Sequence, residues 1–156
     1  MNIEEILSQF EPKKENLLAV LHRIQEDDAH NHVSSEAMKR VATFMKLPLS
    51  SVYGVLHYYS MYSMSPRGKH IIRICNSAVC KMLGSDVLKE EVEAAAESYS
   101  VDEGNSLLFT VEMSECLGHC ELSPVMMIDE DIHGQVKPEE VKTILGNQKE
   151  QKKQNK

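Results

Sequence analysis

HIIRICNSAVC, His70 to Cys80, decides how the second half of this chain is read. Ile71, Ile72 and Ile74 make a short apolar run that follows Ser65-Pro66-Arg67-Gly68, a turn signal. The pattern predicts a short buried strand ending at Cys75, with Cys80 at the start of the helix after it. A second pair, Cys116 and Cys120, lies in ECLGHC, Glu115 to Cys120, which reads as a loop between two further strands. These four are all the cysteines of the chain. Strand ends in a small sheet lie close together, so two loops can present four sulfurs around one point.

Working outward, Ser85 to about Ser98 reads as a helix with Val87, Leu88, Val92, Ala95 and Ala96 inward. Leu107, Phe109, Val111 and Met113 alternate with Leu108, Thr110 and Glu112, a strand pattern. Val125-Met126-Met127-Ile128 is a further strand, and Gly134 is expected in the turn that pairs it with Gln135-Val136. Pro138 opens a last helix through Val141, Ile144 and Leu145, ended by Gly146. The order strand, helix, three strands, helix implies a small α/β sheet with flanking helices.

The first 65 residues read as a helical bundle. Its stripes are Ile3, Ile6, Leu7 and Phe10, stopped by Pro12, then Leu17, Leu18, Leu21 and Ile24. Ser34 or Ser35 caps a helix with Ala37, Met38, Val41 and Met45 inward. Ser50 is expected to cap the next, which carries Val52, Val55, Leu56 and Tyr59. Gly54 inside it costs stability unless another backbone packs there. The expected organisation is a bundle over 1–65, an α/β domain over 66–147 and a polar tail over 148–156.

At 156 residues, 42% apolar and 26% charged, the chain has the composition of a globular protein. A net charge of −7 argues against nucleic acid as a partner. No run is long enough to span a bilayer, and Met1-Asn2-Ile3-Glu4-Glu5 lacks signal-peptide features, so a cytoplasmic protein with no direct membrane insertion is expected. In that reducing compartment four thiols point to metal ligation or redox chemistry before disulfides.

Spacing alone leaves two readings level. Zinc accepts four cysteines, although its common knuckle has two residues between each pair, and neither pair here does. A redox dithiol has the same two-residue spacing. A 2Fe-2S cluster also takes four cysteines, but the plant-type ferredoxin spacing is absent.

The order C-x4-C, thirty-five residues, then C-x3-C within ECLGHC resembles the thioredoxin-like 2Fe-2S ferredoxin family, whose members include small peripheral iron–sulfur subunits of NADH dehydrogenase (complex I) and of NAD-linked hydrogenases and formate dehydrogenases. SVYGVLHYYSMYSMSPRGKHIIRICNSAVC, Ser51 to Cys80, resembles the family's helix-to-strand stretch. ECLGHCELSPVMMIDEDIHG, Glu115 to Gly134, resembles its E-C-L-G-x-C followed by A-P-V-M and a hairpin. The likeness covers roughly residues 15 to 147.

The resemblance implies a thioredoxin-like sheet and one 2Fe-2S cluster, with Cys75 and Cys80 on one iron and Cys116 and Cys120 on the other. It implies one-electron transfer within an NAD(H)-linked oxidoreductase complex. FMN and NAD(H) are expected on a flavoprotein partner, beside further iron–sulfur subunits, because no phosphate-binding or dinucleotide fingerprint occurs in this chain. Catalysis by the chain alone is not expected. The alternatives are a subunit of an NAD(P)-linked electron-bifurcating hydrogenase or formate dehydrogenase, a free ferredoxin, and a zinc-stabilised interaction module. Two departures stand out: His119, where the family has a small residue, and Glu121-Leu122-Ser123, in place of a more basic stretch.

Other residues carry bland expectations. His119 is read as facing solvent, His30 and His32 as a polar turn, and His133 as exposed. Arg67, Lys69 and His70 are read as solvated charge, with steadying of an anionic site as the alternative. Tyr53, Tyr58, Tyr59, Tyr62, Met61 and Met64 are read mostly as packing residues, and Lys149, Lys152, Lys153 and Lys156 as a solubilising end.

Overall fold

The computed structural model describes residues 2–102 and 108–151, and resolves into two compact units, Met1–Arg67 and Gly68–Lys156. Leu107, expected in a strand, and the lysines at 152, 153 and 156 lie outside the described residues.

The first unit holds α1 (Ile3–Leu7), α2 (Leu17–Asp27), α3 (Ser35–Met45) and α4 (Leu49–Tyr58). The apolar stripes meet in one core of Ile6, Leu21, Val33, Val41, Val52 and Leu56 with their neighbours. Ser34 caps α3 by accepting from the Ala37 amide at 3.2 Å. Pro48, not Ser50, occupies the cap position of α4, and Ser50 lies inside the helix. Buried Gln25 stitches α2 to the chain after α4: its amide donates to the Met61 carbonyl and its oxygen accepts from the Ser63 amide.

The aromatic stretch divides. Tyr62 is buried and donates its hydroxyl to the Leu18 carbonyl at 2.9 Å, whereas Tyr53, Tyr58, Tyr59, Met61 and Met64 are exposed. Packing therefore accounts for less of it than expected. Among the described residues nothing lies within 4 Å of a Cβ built on Gly54, which borders an open groove with Leu17, Leu47, Val55 and Tyr58. No backbone offsets its helix penalty, so Gly54→Ala is expected to stabilise the protein by about 0.8–1 kcal/mol. A urea-unfolding midpoint no higher than the parent's counts against that.

In the second unit β1 (His70–Cys75) leads through α5 (Ala78–Met82) and α6 (Ser85–Asp102) to β2 (Phe109–Ser114). Then come β3 (Val125–Ile128), β4 (Asp131–Gly134) and α7 (Val141–Gln151). The sheet order is β2-β1-β3-β4, with β1 and β2 parallel and the other neighbours antiparallel. A parallel pair needs a crossover, and α5 with α6 supplies it. Ile72, Ile74, Phe109, Met126 and Ile128 pack with Leu88, Val92 and Leu145 of the helices into the core.

Several expectations are corrected. The turn after β3 is made at Asp129, with φ +54°, and β4 precedes Gln135-Val136, so Gly134 is a strand residue paired with Val125. Gly146 does not stop the last helix, which runs to Gln151 and takes in the first residues of the expected tail. Val87 faces outward, while Leu88, Val92, Ala95 and Ala96 are buried.

Two of the three residues read as solvated charge are buried instead. Arg67 donates Nε–H to the Asn31 carbonyl within the first unit. His70 Nδ1 lies 2.7 Å from Asp129 Oδ2, and the other Asp129 oxygen accepts from the Ile71 amide. That clasp fixes the start of β1 against the β3–β4 turn. Lys69 is exposed as expected. His133 is half-buried, its Nε2 without a hydrogen-bond partner among the described residues, and burial lowers its pKa below the usual histidine value.

Candidate metal centre

The register of the sheet brings the thiols together. Cys75 is the last residue of β1 and pairs with Ser114, the last of β2. The Asn76 amide donates to the Ser114 carbonyl and extends this parallel ladder by one bond. Both strands therefore release their loops from the same end of the sheet, one into Cys80 and the other into Cys116. β3 runs the opposite way and begins at that end, so the chain returning to Val125 carries Cys120 with it. Three strand ends, from three parts of the sequence, converge on one edge.

The four thiols form two unlike pairs, and all are free. Cys75 and Cys80 are 2% and 1% exposed, packed with Val125 and Leu117. Cys116 and Cys120 are exposed, their sulfurs 3.5 Å apart. Burial pushes the Cys75 thiol up. The Ser77 hydroxyl and amide, the Leu117 amide and the Cys80 thiol outweigh it and bring the pKa down to about 7. Cys120 moves the other way. Its bond with Cys116 holds the proton on, and the charges of Cys116, Cys80 and Cys75 add to the effect. One sulfur thus feels the other three.

Cys80 lies within the five-residue α5, a short helix for a dipole effect, and the amides of Ser77 and Leu117 serve the neighbouring sulfur more directly. Gly118, between the exposed ligand candidates, has φ +85° with open space where a Cβ would stand, so backbone conformation favours glycine there. Gly134 supports the loop from beneath. A Cβ on it would overlap the Leu122 Cβ, and the Gln135 amide donates to the Leu122 carbonyl at 2.6 Å.

His119 is partly exposed and 3.5 Å from Glu121. His30 and His32 belong to a turn organised by Asp28, whose carboxylate accepts from both backbone amides and from the His32 ring at 2.6 Å. Among the described residues no three His, Cys, Asp or Glu side chains already close around a single ion, and the thiols stand as two pairs.

Sequence reasoning missed Ser77 and Ser123. Ser77 Oγ lies 3.3 Å from Cys75 Sγ, and Ser123 Oγ lies 3.2 Å from Cys80 Sγ. For Ser77 a signal existed in its place two residues after Cys75. Ser123 touches a cysteine forty-three residues away, which spacing does not reveal.

Comparison with known proteins agrees with the geometry. The chain matches the family described as thioredoxin-like [2Fe-2S] ferredoxin over residues 3–149. It is 32% identical over 146 residues to the NADP-reducing hydrogenase subunit HndA of Solidesulfovibrio fructosivorans, covering 92% of this chain and 82% of that one. It is 30% identical over 129 residues to a subunit of NADH-quinone oxidoreductase from Aquifex aeolicus, covering 83% and 79%. The like-named subunit from Escherichia coli is 30% identical over 146 residues, with 92% and 85% covered. In fold the chain is similar to part of an NAD+-reducing [NiFe]-hydrogenase structure, with a TM-score of 0.68 at 17% identity. That match covers 87% of this chain and 23% of the larger one.

Proposed function

The chain belongs to the thioredoxin-like [2Fe-2S] ferredoxin family, and on that premise we propose that Cys75, Cys80, Cys116 and Cys120 hold one 2Fe-2S cluster through which single electrons pass. The observation that carries this is the placing of four free thiols around the ends of three strands of one sheet, with the Cys116 and Cys120 sulfurs 3.5 Å apart. Four soft thiolates in two pairs suit a two-iron group, one pair to each metal. Bound there, the cluster supplies one-electron redox chemistry.

The rest is the work of the chain. Cys75 and Cys80 anchor the group on the buried side, while Leu117 and Val125 keep water from their sulfurs. The amides of Ser77 and Leu117 offset negative charge at Cys75. Cys116 and Cys120, at the exposed edge, give a redox partner its approach.

The relatives named above are subunits of NADH-linked and NADP-linked enzymes, and we assign this chain the same kind of place. It relays electrons while docked on a protein that binds FMN and NAD(H), in an NADH dehydrogenase-type complex or a related hydrogenase. Among the described residues no helix is long and apolar enough to cross a membrane, so any membrane attachment through a helix would come from other subunits or from residues outside those described.

Protein purified without oxygen is expected to be red-brown, with about two irons and two sulfides per chain. A colourless protein carrying stoichiometric zinc and no sulfide defeats the assignment. NADH should reduce the chromophore only when a flavin-bearing partner is present.

A further inference from the structure

We propose that Ser77 and Ser123 are positioning residues whose hydroxyls hold the two buried sulfurs and make the site easier to reduce. The proposal rests on the cluster assignment above and concerns side chains that assignment does not require.

Ser77 stands at the N-cap of α5, where a serine ordinarily accepts from a helix amide. Its side chain makes no such bond. The hydroxyl instead accepts from the Cys75 thiol at 3.3 Å, and because a thiolate can only accept, the Ser77 hydrogen turns to sulfur once Cys75 is a ligand. A capping role is given up for a sulfur contact.

Ser123 is placed between the two ligand segments. Its Oγ is 3.2 Å from Cys80 Sγ and donates to the Cys120 carbonyl at 2.8 Å. A thiol at Cys80 can donate to that oxygen, but a thiolate can only accept. With Cys80 as a thiolate, the Ser123 hydrogen turns to sulfur. The Cys120 carbonyl is not orphaned, because the Ser123 amide also donates to it, at 3.3 Å. Ser123 therefore ties the Cys80 segment to the Cys120 turn and adjusts to the ligated state at little cost. Among the described residues the exposed sulfurs have no comparable hydroxyl, only each other.

Hydrogen bonds strengthen as the acceptor becomes more negative. When one electron arrives from an external donor, no covalent bond breaks and both hydroxyl protons stay on their serines. The O–H···S contacts stabilise the reduced state more than the oxidised one, so they raise the midpoint potential.

The test uses the full chain, loaded and assayed for iron and sulfide, then titrated with dithionite and mediators while electron resonance is recorded. Ser123→Ala should lower the equilibrium constant for reduction about tenfold, which is 59 mV for a one-electron couple. Ser77→Ala should shift it in the same direction, and Ser123→Thr should restore the parent value. In deuterium oxide the iron–thiolate stretches of the parent should shift, and those of Ser123→Ala should shift less. Loaded Ser123→Ala protein with the parent potential overturns this proposal alone, as does a Thr variant that behaves like Ala. A parent chain that takes up no iron and sulfide overturns the cluster assignment, and this proposal with it.

Discussion

Cys75→Ser and Cys80→Ser are expected to leave the purified protein nearly colourless, whereas Cys116→Ser and Cys120→Ser retain a reduced, spectroscopically altered chromophore. The asymmetry comes from burial. Cys75 and Cys80 are 2% and 1% exposed and sit on fixed elements, one ending the central strand and the other within α5. A serine oxygen there binds iron less well than sulfur, and neither water nor a shifted loop can take its place. Cys116 and Cys120 occupy an exposed loop where a solvent oxygen can reach the metal. Loss of an outer-shell partner alone costs 10–100-fold in metal affinity, so loss of a buried ligand should lower iron and sulfide content by about tenfold or more. Equal cluster content in all four variants would refute the two-sided picture.

Gly134→Ala should be the most damaging single methyl group near the site. The added Cβ overlaps the Leu122 Cβ and presses on the Leu122 carbonyl, which the Gln135 amide already holds at 2.6 Å. Neither contact is the free end of a side chain that can swing away. Overpacking of this kind costs typically 1–3 kcal/mol. The strain falls on the short 3-10 turn Cys120–Leu122, so cluster occupancy should drop along with the unfolding midpoint. A variant that keeps both values would show that the turn moves freely and that Gly134 does not support it.

Much of the architecture was legible because local periodicity matched the eventual environment. Ile72 and Ile74 read as buried strand residues and pack in the core, and Leu88, Val92 and Ala95 read as the inward face of a helix and are so. The misreadings have a common cause. Val87 shares the apolar character of Leu88, but only the sheet's position decides which side of the helix is covered. Glycine signals a turn at Gly134 and a helix stop at Gly146, yet one allows Leu122 to come close and the other lies within α7. Arg67 and His70 looked like surface charge because their partners, Asn31 and Asp129, lie 36 and 59 residues away.

By itself the sequence supplied the candidate donors: four cysteines, no others, in two motifs specific enough to name a family. It also set the order of strands and helices, since alternation and helical spacing are local properties of a chain. Only the tertiary structure decided that one pair is buried and the other exposed, and that a serine hydroxyl lies beside each buried sulfur. Those facts follow from the parallel register of β1 with β2 and the opposite run of β3. Pairing across a sheet depends on residues far apart in the chain, and no local pattern encodes it.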